Sequence, residues 1–416
     1  MPKRYWLIVG TFFLSVLLYV DRVCISAAEG AITAELGLTD TQFGWVLSAF
    51  ALGYALFQTP GGLLADRYGP RVVLTSVVTF WSFFTAMTGF AKGFVSMLVY
   101  RFLFGAGEAG AFPSMARTFF SWLPVGERGL AQGINFSGSR IGAAFALPVI
   151  AYLVESIGWR TTFIVLAVIG IVWAAYWYAW FRNTPEEKHG VSEQELKFIT
   201  SNRQRSSAAE GAATFRTGIL FGSKNMWLAM VQYFCSNFTF FFCLTWLFPY
   251  LKRTYELGAV ETGLYAAAPL LFGAFGNWTS GALVDKLYRA GRWNRSRQLP
   301  AIIGFALAAI GLVGSVYMDT PLGAVMFLSI AIFGADMTLP PSWSFCIDIG
   351  RDHAGAVSGT MNMAGNIGSF TTALAFPYLL AWTGASTPFF FVGAALNVLA
   401  IVVWLAARPD RPLEHY

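Results

Sequence analysis

The chain has 416 residues, 56% of them hydrophobic and 12% charged, with a net charge of +6 and a mean hydropathy of +0.56. Soluble domains carry about twice that charged fraction, so the composition excludes a soluble enzyme or regulator and implies a polytopic, all-α membrane protein. The four cysteines lie in apolar runs, and the three histidines fall in loops or at the C-terminus. Neither pattern suggests a disulfide framework, a metal site or a nucleophile triad, so no enzyme activity, cofactor or metal is expected.

A spanning helix needs about 20 apolar residues, and the pattern predicts twelve: 5–28, 42–65, 71–90, 95–121, 129–154, 159–181, 225–250, 259–284, 298–318, 321–346, 354–382 and 386–407. The first is too long for a signal-peptide core and contains Asp21 and Arg22, so it is expected to be retained. The second carries Tyr54 and ends on the run Gly62, Asp66, Arg67, Gly69, Arg71. The fourth carries Arg101 and Glu108 among glycines 105, 107 and 110. These two charges are seven residues apart, on one helix face and about 10.5 Å apart along the axis. Ionisable residues inside a span are costly and usually line a cavity or an ion path, although a pair that only locks two helices together is the alternative. Ser139 and Arg140 follow in the fifth span.

Residues 183–224 form the one long polar connection. Ser192 and Glu195 fit a capping box, which predicts a short cytoplasmic helix there, followed by a flexible Ser/Ala/Gly-rich stretch from Ser206 to Thr214. Beyond it, Asp336 is the obvious intramembrane charge, with Asp348 at a helix end. Asn237, Trp246, Ser342, Trp343, Asn362 and Asn366 are the polar and aromatic groups available to read the uncharged part of a ligand. For most of the 15 tryptophans, packing or an interfacial belt is the simpler account. Asp336 reads equally as a proton site or a packing group.

Lysine and arginine fix the orientation. One set of connections holds 21 of them and the alternate set 4, with Arg22, Arg101 and Arg140 inside spans. Both termini are therefore expected on the cytoplasmic side of the cell membrane. The basic charge reflects topology, and no nucleic-acid partner is implied.

The two halves repeat. The run from Gly62 to Arg67 is echoed from Gly281 to Lys286, and Gly129, Gly133, Gly142, Gly158 and Phe163 recur 226 residues later as Gly355, Gly359, Gly368, Gly384 and Phe389. The expected organisation is an N-terminal six-helix bundle (1–182), a cytoplasmic linker with a short helix (183–224) and a C-terminal six-helix bundle (225–416). Repeats of this kind make carriers that bind near the membrane midplane and rock around the site.

The run Gly62-Leu-Leu-Ala-Asp66-Arg67-Tyr-Gly69-Pro-Arg71 resembles the signature loop of the major facilitator superfamily. Tyr19-Val-Asp21-Arg22, the stretch from Arg101 to Pro113, and Pro341-Ser342-Trp343 with Asn362 to Gly368 look like the anion:cation symporter family. That family holds bacterial importers of galactonate, hexuronate and glucarate, together with sialin and the vesicular glutamate transporters. The resemblance implies the major facilitator fold and proton-coupled uptake of a carboxylate; a monomer in the lipid bilayer is the expected form. The resemblance assigns Asp21, Arg101 and Glu108 to proton coupling and Arg22 to the substrate carboxylate; Tyr19, one turn below Arg22, and Tyr54 on the second span are the expected hydroxyl partners. One departure is Arg140, where such importers place a small or amide-bearing residue.

Helix direction and rise place Asp21, Arg22 and Arg101 in an outer layer and Glu108 and Arg140 nearer the middle. In the first half three arginines face two carboxylates, and a carboxylate substrate neutralises the surplus through bidentate bonds to a guanidinium. Arg140 is expected to pair with Glu108 while Glu108 is ionised and to take an anion when Glu108 is protonated. The alternative is that Arg140 permanently neutralises Glu108. Asp66 is expected to close the cytoplasmic side, with Arg67 and Arg71 bridging it to neighbouring helix ends. Two other functions compete: an exporter or exchanger, by drug/proton antiport or anion exchange, which a direct uptake assay separates, and a membrane enzyme or sensor, for which no nucleophile set or appended domain is visible.

Overall fold

The computed structural model describes residues 2–204 and 218–413. Its helices are α1 (Lys3–Ala27), α2 (Glu29–Leu36), α3 (Asp40–Tyr68), α4 (Pro70–Gly89), α5 (Phe94–Glu108), α6 (Ala111–Trp122), α7 (Arg128–Ile157), α8 (Trp159–Trp180), α9 (Glu193–Asn202), α10 (Gly218–Gly222), α11 (Lys224–Thr245), α12 (Leu247–Thr254), α13 (Ala259–Arg289), α14 (Trp293–Val316), α15 (Pro321–Met337), α16 (Leu339–Gly350), α17 (Ala354–Thr383) and α18 (Thr387–Ala406). No strand occurs among the described residues. Among the described residues, seven stretches are long and apolar enough to cross a bilayer on those grounds alone, one of them running from Pro321 to Thr383 through α15, α16 and α17. The twelve spans are completed by helices that are interrupted, such as α5 with α6, or that carry charged residues, such as α3, α7 and α13.

Besides 225–250, which parts into α11 and α12 ahead of Pro249, two spans expected as single helices are broken where proline removes a backbone donor. Pro113 supplies no N–H for the Ala109 carbonyl, and the fourth span parts there into α5 and α6. Pro340 and Pro341 do the same between α15 and α16, and the Met337 carbonyl accepts instead from the Ser280 hydroxyl. Both breaks follow a buried carboxylate, Glu108 in one case and Asp336 in the other. The first span runs on through α2, whose Glu35 accepts from the Trp159 indole at 2.6 Å and from Arg160 Nε at 2.9 Å at the start of α8. The Arg160 guanidinium holds the Glu35 carboxyl below its usual range, helped by the indole hydrogen bond.

Packing divides the chain into two compact units. One comprises Met1–Pro124, Ile141–Ser207 and Gly350–Met363, and the other Val125–Arg140, Ala208–Ile349 and Ala364–Tyr416. The units therefore differ from the sequence halves at the starts of α7 and α17. In the first unit, the Asp66 carboxylate accepts from the Gly355 and Ala356 backbone N–H groups at 2.9 and 2.7 Å. In the second unit, Asp285 accepts from Gly129 and Leu130, both at 2.9 Å. Each aspartate caps donors that the first turn of a helix leaves without an intrahelical partner. Glycine permits both approaches, since a Cβ at Gly62 would run into the Gly355 carbonyl and one at Gly281 into the Gly129 carbonyl. The sequence repeat thus becomes a repeated helix contact, made once in each unit.

Each unit has its own apolar core. Cys24, Ile25, Phe43, Met97, Trp159 and Phe163 lie in that of the first, and Phe238, Phe242, Phe376, Phe389 and Phe390 in that of the second. All four cysteines are buried and free, as the sequence suggests. Helix α9 forms as expected, with Ser192 Oγ accepting from Glu195 N at 3.2 Å. The reciprocal half of the capping box is absent. Glu195 turns away and accepts from the Lys3 and Arg4 backbone N–H groups, both at 3.0 Å, so it caps α1 instead of its own helix. Two orphan backbone donors at one helix start, with the Arg4 guanidinium beside them, outbid a single bond to Ser192 N. The stretch expected to be flexible, Ser206 to Thr214, lies outside the described residues.

Candidate functional site

The first unit gathers four charges, Asp21, Arg101 and Glu108 buried and Arg22 half-buried. Arg22 of α1 donates from Nε to Glu108 Oε1 at 2.8 Å, at the end of α5. Its guanidinium lies over the rings of Tyr54 at 4.3 Å, Tyr19 at 4.9 Å and Phe50 at 5.4 Å. Asp21, one position earlier and about 100° round the helix, points the other way and accepts from Trp81 Nε1 of α4 at 3.1 Å. Arg101 is buried over Phe104 at 4.4 Å and Phe50 at 5.2 Å, close enough to Asp21 and Glu108 to act on their charges. Four buried polar atoms in this cluster have no hydrogen-bond partner: Asp21 Oδ1, Arg22 Nη2, Arg101 Nε and Glu108 Oε2. Unsatisfied buried groups are costly, and here donors and acceptors stand together around one ion pair. The outer and middle layers expected from helix rise do not keep Arg22 and Glu108 from pairing. The reach of Arg22 joins the two levels directly.

Asn362, at the start of α17, belongs to the same unit. Its Nδ2 donates to Gln58 Oε1 at 2.8 Å and lies 3.5 Å from the Tyr54 hydroxyl. The site therefore contains Tyr19, Asp21, Arg22, Tyr54, Arg101, Glu108 and Asn362 as a connected set, with Trp81 and Gln58 added. Gln58 had a sequence signal, an amide inside an apolar span. Trp81 had none, because its role depends only on which way α4 faces.

The second unit holds a different pair. Arg140 of α7 grips Asp336 of α15 with Nε to Oδ2 at 2.7 Å and Nη2 to Oδ1 at 2.6 Å. The guanidinium rests 3.7 Å above the Phe240 ring. This corrects the expected pairing of Arg140 with Glu108. Each of the two has another partner, because α7 enters the second unit up to Arg140 and turns that side chain toward α15. Trp343 is buried between Phe136 and Tyr233 and donates from Nε1 to the Tyr233 hydroxyl at 2.9 Å. Ser342 Oγ lies 2.6 Å from the Thr338 carbonyl and 3.0 Å from Gln232 Oε1. Asn366 is half-buried on α17 in this unit.

The signature loop is also rearranged. Besides the two backbone N–H groups, Asp66 has Arg117 Nε at 3.8 Å, and Arg117 Nη2 donates to Asp352 at 3.1 Å. Arg67 and Arg71 do not bridge Asp66 as expected. Arg67 stacks on Tyr68, and Arg71 donates to the Tyr178 carbonyl and lies over its ring. Gly69, at φ +81°, turns the chain between α3 and α4, and Arg71 at the start of α4 reaches Tyr178 of α8. Among the described residues, no three His, Cys, Asp or Glu side chains converge as a metal site would.

The chain matches the Major Facilitator Superfamily over residues 11–373. It is 36% identical to the probable sulfoacetate transporter SauU of Cupriavidus necator, over 92% of this chain and 89% of that protein. It is 32% identical to the probable galactarate/D-glucarate transporter GarP of Escherichia coli, over 98% and 95%, and 30% identical to an Escherichia coli D-galactonate transporter, over 96% and 94%. Among solved structures, the proton:xylose symporter XylE aligns with a TM-score of 0.78 at 14% identity, over 99% of this chain and 98% of that one, a likeness of fold. The protein is a membrane transporter and not an enzyme, and it belongs to the major facilitator superfamily.

Proposed function

We propose that the protein imports an organic acid of the sugar-acid type together with protons, by alternating access in the cell membrane. The observation that carries this reading is the buried Arg22–Glu108 pair with its unsatisfied atoms. With all four groups ionised, Asp21 and Glu108 balance Arg22 and Arg101. An added carboxylate unbalances the cluster by one negative charge, and one proton restores neutrality. Placed on Glu108, that proton frees Arg22 Nε beside its unpaired Nη2, which together present the planar fork that a carboxylate accepts. Proton and substrate therefore favour each other's binding. Asp21, held by the Trp81 indole, is the second proton carrier of the cluster. Tyr19, Tyr54 and Asn362 supply polar contacts beside Arg22, and Trp343, Ser342 and Asn366 are the polar and aromatic groups that the second unit offers to a substrate.

Relatives named as transporters of galactarate, glucarate and galactonate support the substrate class. The test is uptake of labelled galactonate and glucarate into proteoliposomes with an alkaline interior. Wild-type protein should accumulate one or both. Glu108→Gln should lose accumulation but retain exchange of internal for external substrate. Full gradient-driven accumulation by Glu108→Gln overturns the proton assignment, and efflux-only or exchange-only behaviour of the wild type favours the exporter or exchanger.

A further inference from the structure

Asp21 and Glu108 stand in one cluster of the first unit but have partners of different kinds. Glu108 accepts from a guanidinium, whereas Asp21 accepts from a neutral indole, Trp81 Nε1 to Oδ2 at 3.1 Å. Asp21 is 1% exposed, and its other oxygen, Oδ1, has no hydrogen-bond partner. A buried carboxylate held only for structure is expected to have both oxygens satisfied, and this one leaves an oxygen over. The indole is held in place from two sides. A Cβ at Gly107 of α5 would stand 3.3 Å from Trp81 N, and one at Gly170 of α8 would run into the Ser82 hydroxyl. With no side chain at either glycine, α4 lies close against both helices, and its rotation at Trp81 is fixed. Trp81 is itself fully buried, and the Thr85 hydroxyl donates to its carbonyl at 3.0 Å.

We propose that Trp81 is the positioning residue for proton transfer at Asp21: it reserves Oδ1 for the proton and sets how tightly that proton is held. This rests on the reading of Asp21 as a proton carrier and deepens it. An indole N–H can donate and cannot accept. A proton on Oδ2 would set donor against donor, so the proton adds to Oδ1. One O–H bond forms there, the negative charge is neutralised, and the indole goes on donating to Oδ2, now the carbonyl oxygen. On release that O–H bond breaks, the proton returns to water, and the carboxylate re-forms with the same partner. Asp21 thus changes charge without changing partner, whereas protonation of Glu108 frees Arg22. The indole hydrogen bond is stronger to the carboxylate than to the neutral acid, so it favours release of the proton.

The charged side chains that act on Asp21 are Arg101 and Glu108 of α5, with the Cys24 thiol one turn along its own helix. Arg22 points away from it toward Glu108. Helix α4 carries no charged or titratable side chain beyond Arg71, α8 none between Arg160 and Tyr176, and the part of α7 in this unit none before Tyr152. The indole is therefore what α4 contributes to the charge state of Asp21.

Infrared difference spectroscopy of the purified full-length protein, titrated from acidic to alkaline pH, reads the carbonyl stretch of a protonated carboxyl group. The band lost in Asp21→Asn is that of Asp21. In wild type this band should lie at the lower frequency of a hydrogen-bonded carbonyl, a measurement that needs no change at Trp81. Trp81→Phe keeps a ring and loses the N–H. In that variant the band should move to higher frequency, and its titration midpoint should rise by about one pH unit, a hold on the proton about tenfold tighter. A wild-type band at the frequency of an unbonded carbonyl, or a midpoint unmoved in Trp81→Phe, would overturn the role of Trp81 and leave Asp21 standing as a proton carrier. The absence of any Asp21 band over the whole range would instead overturn the proton-carrier reading of Asp21, and the proposal with it.

Discussion

Arg22 shows how much depends on the shape of one side chain. It bonds Glu108 through Nε, keeps Nη2 unpaired and lies flat on aromatic rings, three demands that a planar guanidinium meets and an ammonium does not. Arg22→Lys preserves the charge and loses the fork and the stacking. Substrate affinity should fall about tenfold or more, the loss of a charge-assisted hydrogen bond of about 1.5–3 kcal/mol. Isothermal titration with galactonate or glucarate reads it directly, and an unchanged affinity would refute the bidentate contact. Neighbouring Asp21 illustrates the converse. Its place next to Arg22 was visible in the sequence, but its indole partner was fixed only by the facing of α4.

At the level of helices, the repeated device is an aspartate at the end of one helix capping the start of another. Asp66 and Asp285 make matching pairs of backbone bonds to positions separated by 226 residues, and the two contacts share no residue. Asp66→Asn and Asp285→Asn should each cost about 0.5–2 kcal/mol, read as lowered unfolding midpoints in detergent. The double variant should show the sum of the two. A far larger effect of Asp66→Asn would mean that its Arg117 contact, not the cap, dominates. The proline breaks are the other recurring device. Pro113 and the Pro340–Pro341 pair stand in the sequence, yet only the folded chain shows that each break lies directly after a carboxylate that has found an arginine.

For the whole molecule, the distribution of lysine and arginine supports the proposal that both ends of the chain face the cytoplasm. A fluorescent protein fused after Tyr416 should fluoresce and alkaline phosphatase at the same point should be inactive; the reverse pattern would invert the proposed topology. The sequence by itself determined the number of spans, the internal repeat, the charges placed inside the membrane and the glycines at the helix contacts. Each of these is a linear property: apolar length, a constant shift, or a residue type at a stated depth. Only the tertiary structure decided which charge meets which. Arg140 was expected to face Glu108 and instead holds Asp336, and Asp66 was expected to meet Arg67 and Arg71 and instead meets Gly355, Ala356 and Arg117. Rise per residue gives depth along a helix and nothing about its rotation or its neighbour. An arginine side chain is also long enough to cross between levels that the rise keeps apart. The assignment of the first part of α7 to one unit and the first part of α17 to the other follows from the same cause. It is made by capping bonds and close backbone contacts between residues distant in sequence, which no local pattern encodes.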